Sequence, residues 1–109
     1  MADISALLVL VTAGSAEEAS SIGDALVRGR LAACVSVVSR VSSVYRWRGE
    51  IERADETLLI IKTVASKLDD VTALVKSMHS YEVPEIIALP VVGGNPDYLG
   101  WLGGEVGQP

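Results

Sequence analysis

The sequence predicts an α+β fold: a β-α-β-β-α-β order closed by a short C-terminal helix. Three observations carry this. The stretch from Ala32 to Thr63 reads as one long hairpin, its first arm alternating as Val35, Val37, Val41, Tyr45 and Trp47. An unbroken apolar run, Ala6 to Val11, reads as a central strand rather than an edge. Two segments with helical apolar spacing separate these strands from each other and from a last strand near Ile86.

Taken in order, Thr12-Ala13-Gly14 breaks the first strand. Ser15 with Glu18 three residues on is a capping-box signature, and Glu17 and Glu18 suit the positive start of a helix. Ala19, Ile22, Ala25 and Leu26 give that helix its apolar face over residues 16–28, and Gly29 stands at its C-terminal end. Arg48-Gly49-Glu50 turns the hairpin, with Gly49 free to take positive φ. The second arm closes in Thr57–Ile61, apolar on both faces. Each arm runs about 14 residues, roughly twice the usual strand. Ser66 is expected to cap a second helix, striped by Leu68, Val71, Leu74, Val75 and Met78 and ending near His79. Val83-Pro84 forces extended chain into a strand over residues 85–92, where Pro90 suits an edge. Asn95 and Pro96 start a third helix carrying Tyr98, Leu99, Trp101 and Leu102. The tail from Gly103 reads as frayed.

This order is the split β-α-β, or ferredoxin-like, arrangement, with strands one and three central and both helices on one face. Both central strands are apolar on both faces, so the uncovered face requires a partner. A homo-oligomer supplies one, and also accounts for hairpin arms too long for one small domain to cover.

The 109 residues suit a single domain, 1–109. Half of them are hydrophobic, and mean hydropathy is +0.39. The 9 basic and 14 acidic residues leave a net charge of −5, which argues against nucleic acid as a partner. Arg40, Arg46, Arg48 and Arg53 cluster near the hairpin tip and read as a solvated face. The run Ile4–Val11 is too short to span a membrane and lacks the basic flank of a signal peptide. One cysteine allows no intrachain disulfide, which points to a reducing, cytoplasmic setting.

His79, the sole histidine, sits among Glu82 and Glu85. It suits either a metal site completed by a neighbouring chain or a helix-terminal imidazole bonded to a carboxylate. Cys34 suits a soft ion or a small buried hydrophobe. No spacing of a closed zinc site, a phosphate loop or a serine nucleophile is present, so no reaction is specified. Tyr45, Trp47, Tyr98 and Trp101 suit a subunit boundary or a pocket there, across which Lys62 and Glu85 are placed to pair.

Leu31-Ala32-Ala33-Cys34, Tyr45-Arg46-Trp47-Arg48-Gly49, Ile61-Lys62-Thr63, His79 to Glu85 and Asp97 to Leu102 together resemble the CutA divalent-cation tolerance family, over roughly Leu7 to Leu102. The resemblance implies a homotrimer whose hairpins reach into neighbouring subunits. It implies a protein that binds copper and other divalent cations, zinc among them, with no cofactor required; with no nucleophile–base pair visible in the sequence, the protein is expected to be non-enzymatic. His79, Glu85 and Cys34 match the family positions that suit metal. It also implies an alternative: a trimeric signalling module similar to the PII type, holding a small ligand between subunits near Trp47, Lys62 and Glu85. Two positions depart from the family. Ser80 replaces the usual proline after the histidine, and Val11 stands where some members carry a cysteine proposed as a copper ligand.

Overall fold

Alternation along two strands decides which residues enter the core. The computed structural model describes residues 5–106. Its elements are β1 (Ala6–Ala13), α1 (Ala16–Arg28), β2 (Cys34–Trp47), β3 (Glu50–Val64), α2 (Leu68–Met78), β4 (Ile86–Pro90) and α3 (Pro96–Glu105). The strands form one antiparallel sheet in the order β2-β3-β1-β4. Side chains alternate across a strand, so Val9, Val11 and Ala13 of β1 share a face with Leu59 and Ile61 of β3. That face packs against Ala19, Ile22 and Leu26 of α1 and Val71 and Val75 of α2 in one fully buried cluster. Both helices therefore lie on the same side of the sheet. Ile61→Ala is expected to cost about 2–5 kcal/mol through lost burial and the cavity left behind; urea denaturation measures it.

The other face has no such cover. Leu10 lies opposite Ile60 on β3 and Ile87 on β4, and Leu8 lies opposite Leu89. Ile87 and Leu89 are exposed, as is Val38 of β2, while Leu8, Leu10, Leu58 and Ile60 are only half-buried. Pro90 ends β4 at the sheet edge, where its missing N–H breaks no ladder.

The hairpin turn fits its chemistry. Arg48 (φ 50°) and Gly49 (φ 85°) both take positive φ, as a two-residue type I′ turn requires. With 14 residues in β2 and 15 in β3, the arms far exceed ordinary strands, and the molecule measures 49 Å along its long axis. One feature of the hairpin departs from simple alternation. The pairing slips between Val38 and Val41, where Arg40 sits at φ 71°, so one extra residue bulges from β2. The bulge reverses the faces: Val35 and Val37 pair with Ile61 and Leu59 on the helix side, whereas Val41, Tyr45 and Trp47 pair with Glu56, Glu52 and Glu50 on the open side. The five residues that alternate in sequence thus split between two faces.

Other local expectations shift. A 3-10 turn over Ala65–Lys67 leads straight into α2, so Ser66 lies inside that turn and Lys67 precedes the helix without a side-chain cap. Gly29 keeps a negative φ, and Arg30 takes the left-handed conformation at φ 57° instead. The last strand is shorter than expected, Ile86–Pro90. Far from fraying at Gly103, α3 continues to Glu105. Leu102 and Val106 are buried against Ala6 and Val64, because the helix covers the end of the β1–β3 ladder. The remainder of the expected tail, residues 107–109, and the first residues of the Ile4–Val11 run lie outside the described residues.

Candidate functional site: a carboxylate-lined cavity

The bulge and the α2–β4 connection together shape a cavity on the open face. Thr12 and Glu56 come from the sheet, Tyr45 and Trp47 from the distal half of β2, and Tyr81, Glu82, Val83 and Glu85 from the connection. The cavity measures about 580 Å³, within the range of small-molecule sites.

The connection is held by His79. Its side chain is fully buried. The Tyr81 N–H donates to Nδ1 at 3.1 Å, so Nε2 carries the proton and donates to the Thr12 carbonyl at 2.7 Å. Ser15 caps α1 through the Glu18 N–H, but the Glu18 carboxylate does not complete the capping box. It accepts instead from the Ser80 N–H at 3.3 Å and lies 3.3 Å from His79 Nδ1. In this tautomer that approach is not an ion pair, since the nitrogen and the oxygen each accept from a separate amide N–H. Ser80 thus contributes an N–H that a proline at this position would lack. Ser15→Ala is expected to cost about 1 kcal/mol, seen as a lower melting temperature with α1 still helical by circular dichroism.

Tyr81 packs on His79 with ring centroids 4.6 Å apart and donates its hydroxyl to Glu56 Oε2 at 2.7 Å. Burial, reinforced by that bond and by the nearby Glu56 charge, pushes the Tyr81 hydroxyl well above its ordinary range. The folded protein keeps this proton more tightly than the unfolded chain does. Its stabilising contribution is therefore complete below the ordinary tyrosine value of 10.0 and is lost as pH rises beyond it. Tyr81→Phe is expected to flatten the alkaline limb of a stability–pH curve.

At the rim, Arg48 Nη2 bonds Glu82 Oε1 at 2.7 Å, tying the hairpin tip to the connection. The guanidinium also sits 5.2 Å from the centre of the Trp47 ring, within cation–π range. Both partners of the ion pair are largely exposed, so the tie contributes at most about 1 kcal/mol and can open. Arg46 and Arg53 pair with Ile51 and Val44 on the opposite face of the hairpin, and Arg40 pairs with Asp55. Among the described residues no lysine, arginine or histidine lines the cavity, Arg48 standing at its rim. Its polar character is anionic, which suits a cation.

The site residues expected from the sequence are separated. Glu85 lines the cavity; His79 is buried behind it with both ring nitrogens engaged. Cys34 opens β2 opposite Lys62, which pairs with Leu8. Leu8 to Thr12 is about 13 Å along a strand, so Cys34 and His79 of one chain do not share an ion. Lys62 does not face Glu85 either: its Nζ lies 2.5 Å from Ser36 Oγ and 3.8 Å from Cys34 Sγ. Among the described residues, no three His, Cys, Asp or Glu side chains gather closely enough to hold one metal ion. Tyr98 and Trp101 lie 5.5 Å apart on α3 and are exposed, away from the cavity. Glu18 and Glu56 were not legible as site residues: one carried the signature of a cap, the other that of a polar strand position.

Comparison with known proteins identifies the fold. A sequence model described as the CutA1 divalent ion tolerance protein family matches residues 7–105. A divalent-cation tolerance protein CutA of Thermus thermophilus is 47% identical over 95 residues, covering 87% of this chain and 92% of its own. A mouse protein CutA is 47% identical over 92 residues, 84% of this chain, but the match spans only 52% of its length. The solved structure of the Thermus thermophilus protein superposes with a TM-score of 0.92 at 45% identity, covering 94% of this chain and 99% of that one. CutA1 of Oryza sativa gives 0.93 at 42% identity, covering 97% of each chain. With a family match over nearly all its length and the same α+β sheet, the chain belongs to the CutA1 divalent ion tolerance family.

Proposed function

We propose that this protein is a cytoplasmic, non-enzymatic homotrimer of ferredoxin-like subunits that binds divalent cations, copper and zinc among them, as its contribution to ion tolerance. The observation that carries this reading is the cavity lining, to which Glu56, Glu82 and Glu85 bring carboxylates and, among the described residues, no basic side chain contributes, Glu82 being tied at the rim to Arg48. Carboxylate oxygens suit divalent cations. Since no three ligands gather among the described residues, the shell is completed by water or by a second copy laid on the open face, beside which the cavity opens. Glu85 is the first ligand. His79 holds the connection that presents Glu85, and it joins the shell only by giving up its bond to Thr12 or Tyr81. Cys34 belongs to a different part of the sheet and takes no part in this site. The trimer accounts for the uncovered apolar face.

The alternative, a PII-like signalling module, draws support from the aromatic and aliphatic wall of the same cavity. Thermal melting of chelator-treated protein with added Zn²⁺ or Cu²⁺ tests the leading reading. A ligand of the folded state raises the midpoint by mass action, and Glu85→Gln is expected to remove most of that rise. A midpoint that does not move with either ion contradicts it.

A further inference from the structure

The open-face residues of β3 form a stripe with a charge at each end. Glu56, Leu58, Ile60 and Lys62 alternate onto that face, so the strand reads acid, two apolar side chains, base. Leu58 and Ile60 are only half-buried, and a second copy laid over them takes both charges out of water as well. Neither charge has a counter-ion within its own chain. Glu56 is 8% exposed, and the hydrogen bond it accepts at Oε2 comes from the neutral Tyr81 hydroxyl. Lys62 is half-buried, and its ammonium meets the Ser36 hydroxyl and the Cys34 sulfur. Among the described residues no ion pair reaches either Glu56 or Lys62. The length of strand between them is about 20 Å, so they do not meet in one chain. The other basic residues are placed elsewhere. Arg40 and Arg48 hold Asp55 and Glu82, and Arg46 and Arg53 sit on the opposite face of the hairpin. Arg28, Arg30, Lys67 and Lys76 lie on or beside α1 and α2. Lys62 is therefore the cation that the apolar stripe itself carries.

We propose that Glu56 of one copy and Lys62 of the partner subunit form an ion pair buried between them, and that this pair fixes the register in which the open faces meet. Burying either charge alone is costly, and an opposite charge brought by the same contact offsets that cost. Tyr81 already orients the carboxylate, and Ser36 holds the ammonium, so both partners are positioned before the copies meet. In a closed trimer each copy offers its acid to one neighbour and its base to the other, a head-to-tail contact that completes a ring. The pairing rests on the trimer reading and not on the divalent-cation reading, because Glu85 takes no part in it and no metal is required.

A double-mutant cycle on subunit association, read by light scattering over a dilution series in buffer containing a metal chelator, tests the proposal. Glu56→Gln keeps an acceptor for Tyr81, and Lys62→Met keeps the reach of the side chain without its charge. Each single variant strands one buried charge and is expected to weaken association by about tenfold or more. The double variant strands none and is expected to associate at least as well as either single variant. Lys62→Arg retains the charge and is expected to stay assembled at dilutions where Lys62→Met comes apart. That comparison decides the matter should the Glu56 variants fail to fold by circular dichroism. Single variants that associate like wild type, losses that multiply in the double variant, or equal dissociation of Lys62→Arg and Lys62→Met would overturn the proposal. A trimeric wild type with multiplied losses overturns the pair alone, whereas a monomeric wild type overturns the trimer reading and the pair together.

Discussion

His79→Ala is expected to lower the unfolding free energy by about 2–5 kcal/mol, a large fraction of what a domain of this size has. The imidazole is fully buried and answers two backbone groups from different parts of the chain: the Thr12 carbonyl on β1 and the Tyr81 N–H beyond α2. Truncation leaves both unpaired in a site closed to solvent, each costing about 1–3 kcal/mol, with a ring-sized void added. It also frees the connection that carries Tyr81, Glu82 and Glu85. Urea unfolding at unchanged m-value measures the loss. A loss under about 1 kcal/mol would mean that water replaces both bonds at little cost, and the ring would then not be what anchors the connection.

Leu10→Asp is expected to convert the assembled protein into folded monomers. Leu10 faces away from the helices, between Ile60 and Ile87, so the core of Val9, Val11, Leu59 and Ile61 is untouched. In a trimer that covers this face, the aspartate would be buried without a partner, at several kcal/mol for each copy. Light scattering should show one third of the wild-type mass, with helix and strand signals retained by circular dichroism. An unchanged mass would place the subunit contacts elsewhere on the molecule.

The elements were legible because local chemistry and tertiary placement agree. The unbroken run of β1, the Ser15 cap and the Asn95-Pro96 start each act through neighbours a few residues away. The bulge at Ser39-Arg40 was not legible, because nothing in Val35–Trp47 except pairing with β3 reveals an extra residue. That single residue moves Tyr45 and Trp47 to the open side and so creates the cavity wall. Glu18 misled for the opposite reason: a capping box satisfies the local rule, yet the carboxylate finds a distant partner at Ser80. Lys62 and Glu85 stand close to apolar stretches in sequence, but only the strand register shows that they lie apart. The site's charge emerges in the same way, since Glu56 reads as one polar residue of a strand until Tyr81 closes over it.

The proposed divalent cation binds at the carboxylate-lined cavity through Glu85. Calorimetric titration of metal-free wild type and Glu85→Gln with Cu²⁺ and Zn²⁺ tests it most directly. Saturable binding at a fixed ratio to the trimer, weakened about tenfold or more in the variant, is the predicted result. Equal affinity in the two proteins would contradict the assignment of Glu85 and move the divalent cation away from this cavity.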